Sequence, residues 1–443
     1  MTDAVKLVYI ETYGCQMNVA DTDLIVGLLG RDGFTVTESP EEADVILVNT
    51  CAVRDNAEQR VYGRVGELKR HKRPGDVLGV VGCMAQRLGS ALLDRIPSVD
   101  LVAGPDGYRA LPELIRRAAE GTRTAEVEFK PWEHYEDVPP TPANRVSAFV
   151  TVQRGCNYRC TFCIVPMTRG PERSRKLADV VREVERHVNA GTTEVTLLGQ
   201  TVNSYHDGTN DFADLLRAVG AVDGLRRLRF TSPHPNDFND RVIDAMATVP
   251  EVCEHVHLPV QSGSSRVLKR MLRRYTREGY LDCVERLRAA IPNIALTTDI
   301  IVGFPGETED DFLETESLVE AVQFDNAFTF KYSVRDGTPA VKIKDHIPDD
   351  VAGERLERLI ATVRGVARGR NAGLVGSSHE VLVEKRARRG DLLQTRTRTN
   401  KVVLIDGDPQ LVGSYLQVRL TGTTGSTFTG VPTSSARMLV VAE

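Results

Sequence analysis

The sequence predicts an α/β protein in three parts: an open parallel α/β domain at the amino end, a partial (β/α)6 barrel in the middle and a small β-barrel at the carboxyl end. Three observations predict it. From residue 5 to about 120, short β-branched runs alternate with helical ones; from Ala148 to Val334 six more strand-like runs alternate with helical stretches; from about Ser377 short β runs follow one another across glycine and polar turns. A chain of 443 residues accommodates two or three domains, and we divide it at 1–125, a linker 126–144, 145–375 and 376–443.

In the first region Lys6 to Ile10, Asp44 to Val48, Val77 to Val81 and Val99 to Ala103 read as strands. Thr22 to Gly30, Asn56 to His71 and Leu111 to Glu120 read as the helices between and after them. In such a sheet ligands gather beyond the carboxyl ends of the strands. Cys15, Cys51 and Cys83 each follow one of the first three strands, so three thiols converge on one edge. Spacing alone leaves open a shared metal site or three unremarkable strand-end cysteines. The small neighbours Gly14, Thr50 and Gly82 favour the former, because a cluster needs close approach of the backbone.

The segment from Glu120 to Asn144 is rich in Pro and acid and reads as an extended connection, with the single tryptophan, Trp132, expected to pack against a domain. After it the strand-like runs are Ala148 to Val152, Glu194 to Leu198, Arg227 to Thr231, His255 to Pro259, Ala295 to Val302 and Asn326 to Val334. Six β-α units fall short of a closed eight-stranded barrel, but chemistry is again expected at the carboxyl ends. There lies Gly155-Cys156-Asn157-Tyr158-Arg159-Cys160-Thr161-Phe162-Cys163, three thiols with no fourth ligand nearby; His187, the nearest downstream histidine, falls on a helix face. Structural zinc sites are closed by four ligands, whereas a 4Fe-4S cube on three thiolates keeps one iron open. A zinc knuckle or buried thiols are the alternatives.

Polar or glycine-bearing loops follow later strands: Gly199 to Tyr205, Leu258 to Ser265 and Asp299 to Thr308. His234, between two prolines, reads as a turn or a substrate contact, and Cys253 and Cys283 as free thiols. The basic run Arg266, Lys269, Arg270, Arg273, Arg274 and Arg277 is either a solvated face or a phosphate contact. Asp349 to Arg370 reads as a long helix leading to the last domain.

That domain, about sixty-five residues with five or six strands up to Met438 to Val441, is expected to be an oligonucleotide-binding type of barrel. Lys385, Arg386, Arg388 and Arg389, with Arg396, Arg398 and Lys401, concentrate positive charge in a chain whose net charge is -5. Bulk charge therefore does not announce a nucleic-acid partner, but this stretch suits phosphate contacts or a solubilising hairpin. The amino-terminal residues lack a leader pattern and no apolar run approaches eighteen residues, so the expectation is a cytoplasmic protein with no membrane partner. In that compartment the eight cysteines are ligands or core thiols.

Cys156-x3-Cys160-x2-Cys163 is similar to the signature of the radical S-adenosylmethionine superfamily, and TYGCQMN, NTCAVRDNAE and GCMAQR resemble the three cysteine motifs of its methylthiotransferase family. The resemblance covers nearly the whole chain and ends in a stretch similar to the TRAM RNA-binding module. It implies two 4Fe-4S clusters, one on Cys156, Cys160 and Cys163 that cleaves S-adenosyl-L-methionine to a radical, one on Cys15, Cys51 and Cys83 that carries sulfur. It also implies a cofactor pocket drawn from Gly199, Gln200, Asn203, Ser262, Gly263, Ile301, Gly303 and Pro305; the family usually shows Asn where this chain has Thr201. RNA contacts are expected at Arg270, Arg273 and Arg274 and along the basic stretch of the last domain.

The motifs fit best the branch that methylthiolates carbon 2 of isopentenyladenosine in tRNA, ahead of the branches acting on threonylcarbamoyladenosine or a ribosomal-protein aspartate. The reading outside the enzyme class is a non-catalytic iron-sulfur RNA-binding protein. The expected partners are tRNA, a reducing electron donor and a sulfur source, around a monomer.

Overall fold

The structure, a computed structural model, describes residues 6–52, 55–138, 141, 146–388 and 390–433, with the backbone alone for 55–59. Arg389 and the strand expected at Met438 to Val441 lie outside the described residues.

The first region is a six-stranded sheet, parallel throughout, in the order Phe34–Val36, Lys6–Tyr13, Val45–Thr50, Val77–Gly82, Leu101–Ala103, Thr124–Glu126. Every residue of the two central strands is buried, as a parallel sheet covered on both faces requires. The two outermost strands, too short to carry a pattern, are additions to the sequence reading. The helix expected from Thr22 begins at Gln16, directly after Cys15. Asn18, Asp21 and Asp23 break its apolar periodicity, yet all three point inward. The linker lies on this domain through Tyr135, whose hydroxyl donates to the Pro105 carbonyl at 3.0 Å. Trp132, expected to pack, is 72% exposed; Tyr135 holds the buried place instead.

The middle region is an arc of six parallel strands in two halves. Ser147–Thr151, Glu194–Leu198 and Arg227–Phe230 pair in one; His255–His257, Ala295–Val302 and Asn326–Lys331 pair in the other. A parallel bridge between Leu228 and Val252, with Cys253 N–H donating to the Leu228 carbonyl at 2.9 Å, joins the halves. The end strands of the arc, Ser147–Thr151 and Asn326–Lys331, do not pair among the described residues, so the barrel is open on one side. Outer helices close over one apolar core. Glu309–Val322, for instance, starts at a capping box in which Thr308 and Asp311 exchange side-chain to backbone hydrogen bonds.

The last region is a closed barrel in the order Ser378–Arg386, Leu392–Thr397, Val402–Asp406, Thr427–Pro432, Tyr415–Thr423. A parallel pairing of Val402–Asp406 with Thr427–Pro432 completes an otherwise antiparallel ring, the five-stranded arrangement of an oligonucleotide-binding fold.

The two flanking domains meet the arc at opposite ends. Met17 and Ala20, just past Cys15, pack on Leu198 and Phe149 near the carboxyl ends of the arc strands. The last barrel sits at their amino ends, where Arg227 donates to the Arg396 carbonyl at 2.8 Å and Arg229 to the Arg398 and Thr397 carbonyls at 2.8 and 2.9 Å.

Candidate active site

The first three thiols are set in a row by strand register. Tyr13 pairs with Thr50 and Thr50 with Gly82, so Cys15, Cys51 and Cys83 leave the sheet side by side. Gly82 has φ +95°, and a Cβ there would stand 2.5 Å from Asn49 Oδ1 and 2.7 Å from the Thr50 carbonyl. Only glycine makes that turn without strain. Asn18 and Asn49 brace the row: Asn18 Nδ2 donates to Asn49 Oδ1 at 3.1 Å and Asn49 Nδ2 to the Asn18 carbonyl at 2.8 Å.

Cys15 caps the helix Gln16–Arg31, where backbone N–H groups favour a thiolate. A hydrogen bond from the Cys51 thiol, aided by Arg169 and the N–H groups of Asn18 and Met17, holds the exposed Cys15 thiol down at about 6. Burial pushes the Cys83 thiol up, with Arg169 opposing.

The second three thiols sit on the loop after Ser147–Thr151. Gly155, at φ +75°, passes so close to Pro171 and Gly170 that any side chain would collide with their carbonyls. Burial raises Cys156 and pushes Cys163 up to about 12. Two polar groups meet the sulfurs: Thr201 Oγ1 lies 3.2 Å from Cys156 Sγ, and Arg273 Nη1 donates to Cys160 Sγ at 3.3 Å. Phe162 anchors the loop in an apolar cluster with Ile301, Phe304 and Tyr332.

None of the six thiols is in a disulfide. Among the described residues no three His, Cys, Asp or Glu side chains converge tightly enough for a single metal ion. A cube spreads its thiolates over separate irons and so asks for a looser grouping; Cys51 is within hydrogen-bond reach of Cys15, and Cys156 and Cys160 lie close enough to act on Cys163. Glycine cradles before the cysteines and a guanidinium on one sulfur of each triplet fit an anionic cluster; neither is needed by a neutral thiol.

The triplets face one another across a single seam. Ile164, next to Cys163, packs on Ala52 and Cys83. The following helix, Val165–Arg169, delivers Arg169, whose Nε donates to Cys83 Sγ at 3.1 Å and whose Nη2 pairs with Asp21 at 2.6 Å. Arg154 takes the other Asp21 oxygen at 3.1 Å, and the Tyr108 hydroxyl donates to the same carboxylate. Asp21 is fully buried; burial pushes its carboxyl up, and the two arginines outweigh it and hold it low and charged. Sequence reasoning missed Arg169 and Asp21, since partners more than 130 residues apart leave no local pattern.

The other expected pocket residues divide. Gln200 brings a buried Oε1 with no partner to the loop beside Cys156, and Ile301 lines the Phe162 cluster, so both border the site. Gly199 lies where a Cβ would press on Gln153 and Val202. Asn203 is committed at both ends to His234, donating to its carbonyl at 2.9 Å and accepting its N–H at 2.7 Å. Ser262 and Gly263 dock on Thr315, Gly303 N–H donates to Glu307, and the Pro305 carbonyl accepts from Arg270. These shape the loops from behind.

His234 is both a turn and a border of the site. Its Nδ1 accepts from Asn236 N–H at 3.2 Å, its ring stacks on Tyr158 at 3.9 Å, and its Nε2 is buried without a partner. Burial first, then Arg273 and Arg274, hold the imidazole down at about 2, hence neutral.

Among the expected RNA contacts, Arg273 is corrected: it is buried against Cys160, Tyr275 and the Pro259 carbonyl and presents nothing to a phosphate. Arg398 is likewise committed to Glu254 and the Pro250 and Val252 carbonyls, and Arg396 to Glu384 and Asn400. Their charges hold the last barrel in place. Arg270 is half-buried on Pro305, whereas Arg274, Lys385, Arg386 and Arg388 are exposed.

Three family models match the chain: the Radical SAM superfamily over residues 150–319, Uncharacterized protein family UPF0004 over 7–104 and the TRAM domain over 373–431. The chain is 46% identical over 427 residues to a protein of Carboxydothermus hydrogenoformans, covering 94% of this chain and 97% of that one. It is 47% identical over 422 residues to one of Geobacter metallireducens, covering 94% and 96%. Both are named tRNA-2-methylthio-N(6)-dimethylallyladenosine synthase. Among solved structures, a radical S-adenosylmethionine methyltransferase from Kitasatospora setae, with cobalamin and a [4Fe-4S] cluster bound, superposes with a TM-score of 0.58 at 17% identity, over 76% of this chain and 74% of that one. That likeness is one of fold.

Proposed function

The chain belongs to the tRNA-2-methylthio-N(6)-dimethylallyladenosine synthases, radical S-adenosylmethionine enzymes that use 4Fe-4S clusters, and from that premise we propose which of its residues carry the reaction. Cys156, Cys160 and Cys163 hold one cluster, and Cys15, Cys51 and Cys83 hold the other. The domains divide at 1–125, 145–375 and 376–443. Bound there, the two clusters and S-adenosyl-L-methionine supply radical removal of an inert ring hydrogen and a sulfur to replace it.

The protein's own residues set the stage for that exchange. Arg273 and Arg169 donate hydrogen bonds to the sulfurs of Cys160 and Cys83 and place a positive charge beside each cluster site. Gln200 and neutral His234 offer polar atoms without partners at the border of the cavity, suited to the amino acid part of the cofactor or to a base edge. Ile164 and Ala52 pack an apolar lining beside Cys83 and the buried Arg169–Asp21 pair, which limits water at the reacting centre. The open side of the arc admits the anticodon region of the tRNA, whose phosphates meet Arg274 and, on the far domain, Lys385, Arg386 and Arg388. An external donor provides electrons and an external source restores sulfur. No described helix is long and apolar enough to cross a membrane, and we assign the enzyme to the cytoplasm as a monomer.

The single observation that carries this assignment is the Arg169 bridge, which starts six residues after Cys163 and ends on Cys83. Iron and acid-labile sulfide, counted after anaerobic reconstitution, test it: about eight irons per chain in the parent and about four when Cys156, Cys160 and Cys163 are all Ala. A parent with four irons and a variant with none would remove the first triplet from the assignment. Analysis of tRNA nucleosides from a deletion strain tests the product, and tRNA that keeps its methylthio group would sink the substrate.

A further inference from the structure

A cavity of about 580 Å³ opens at the amino ends of the arc strands, the end away from the six thiols. His255 and Asn326 begin two of those strands; the other walls are the helix Asp349–Ala372 and two hairpin loops of the last barrel, at Thr399–Asn400 and Thr424–Ser426. Its frame is internally satisfied. Lys401 Nζ sits 2.6 Å from Asp325 and 2.9 Å from Asn371 Oδ1, and Asn371 Nδ2 donates to the Gly425 carbonyl at 2.6 Å.

Two cations on the wall are not satisfied. The helix Asp349–Ala372 carries five arginines. Arg355 pairs with Glu307 and Glu309, Arg358 with Glu309 and Glu316, and Arg370 with Asp325. Arg364 and Arg368, one turn apart and both on the cavity, have no ion-pair or hydrogen-bond partner among the described residues. Like charges one turn apart repel unless an anion bridges them. The nearest carboxylate, Asp325, is already taken by Lys401 and Arg370. Phe328 stands on the same cavity wall, 50% exposed, its ring at a steep angle to His257 with 5.8 Å between centroids, so aromatic surface is open to the cavity. Half-buried His255 is held well below the usual imidazole range, chiefly by desolvation and then by Arg229, so it neither adds to the positive charge nor cancels it.

Two free guanidiniums sharing a cavity wall with open aromatic surface select a ligand that is anionic at one end and flat at the other. The volume lies within the range of small-ligand sites, enough for one nucleotide and too little for a duplex. We infer that this cavity binds a single nucleoside phosphate, with the phosphate between Arg364 and Arg368 and the base on Phe328. Such a ligand arrives either free or as one unstacked nucleotide of an RNA strand, and it would bridge the arc, its last helix and the terminal barrel.

The test is calorimetric titration of the reconstituted full chain, with S-adenosylmethionine saturating so that the adenosine pocket of the reaction site is filled. The probes are adenosine 5′-monophosphate, adenosine and a short single-stranded RNA. The inference expects the monophosphate to bind and adenosine to bind far more weakly. It expects affinity to fall about tenfold or more in the Arg364→Gln/Arg368→Gln double variant and about fivefold in Phe328→Leu. Binding of the monophosphate with those losses assigns a free nucleotide; binding of the RNA alone, with the same losses, assigns a nucleotide of a strand. If neither the monophosphate nor the RNA binds, if adenosine binds as tightly as the monophosphate, or if both variants bind like the parent while melting at the parent's temperature, the inference is overturned.

Discussion

The two seams of the molecule are held by arginines that differ in what they bind across the seam. At the thiol end Arg154 and Arg169 converge on one fully buried carboxylate, Asp21, and Arg169 extends to a sulfur. At the far end Arg227 and Arg229, anchored within their own domain on buried Glu194, reach across mainly to backbone carbonyls and to Glu380, and Arg398 reaches back to carbonyls and to Glu254 near the rim. A carbonyl is a fixed dipole that docks one domain on another whatever else is bound. A carboxylate shared with a thiolate makes docking and sulfur chemistry depend on the same charges. The first seam is therefore part of the site, and the second is a joint.

The sharpest way to break that contrast is Asp21→Ala, which leaves two buried arginines without their counter-charge. Unfolding in denaturant should show a loss of about 3–5 kcal/mol, together with loss of the iron held by the first triplet alone. Next, Gly82→Ala imposes a side chain on a left-handed turn against Asn49 and Thr50 and should cost about 1–3 kcal/mol. The stability should be read from the same denaturation, with the second triplet still loading its iron.

Arg398→Ala, at the joint, removes donors to two carbonyls and to Glu254, about 1 kcal/mol because the group is partly solvated. Iron content should not change, and a loss of iron there would erase the distinction between the seams. Arg169→Lys and Arg273→Lys keep the charge but lose the fork; each should shift the reduction potential of the cluster it touches, seen by titration under electron paramagnetic resonance, and leave the other cluster's potential alone.

The smallest effect is on pH. Burial pushes the Glu11 carboxyl up, but hydrogen bonds from Arg64, Tyr13 and Tyr9 prevail and hold it at about 2. A carboxyl lower in the folded than in the unfolded chain contributes stability that is fully present above the unfolded value, about 4.3, and is lost as pH falls toward 2. A pH series of melts should show that slope in the parent and lose it in Glu11→Gln.

Much of this was legible in the residues. The row of Cys15, Cys51 and Cys83 followed from strand ends in a parallel sheet, and the partial barrel from six apolar runs, because continuous burial leaves a continuous apolar trace. What stayed hidden depends on partners distant in the chain. The basic residues around Arg396 and Arg398 look alike in sequence whether they face solvent or a neighbouring domain, and only the packing separates Arg398, committed to Glu254, from exposed Arg386 and Arg388. Arg273 reads as one more member of a helix-spaced basic run, yet the helix stops at Arg270 and the turn that follows, with Leu272 and Arg274 at positive φ, carries Arg273 inward onto Cys160. Thr201, which departs from the family's usual Asn, nonetheless meets Cys156.

The register that lines up Tyr13, Thr50 and Gly82 also sets an order of events in folding. Cys156, Cys160 and Cys163 lie within one loop, so they can be gathered while the chain is still largely open. Cys15, Cys51 and Cys83 are brought together only when three parallel strands have paired, each pairing closing a long loop, and such non-local topology forms slowly. On the proposed assignment the first triplet should therefore be the last to load its cluster, and that loading would report that the first domain has completed its sheet.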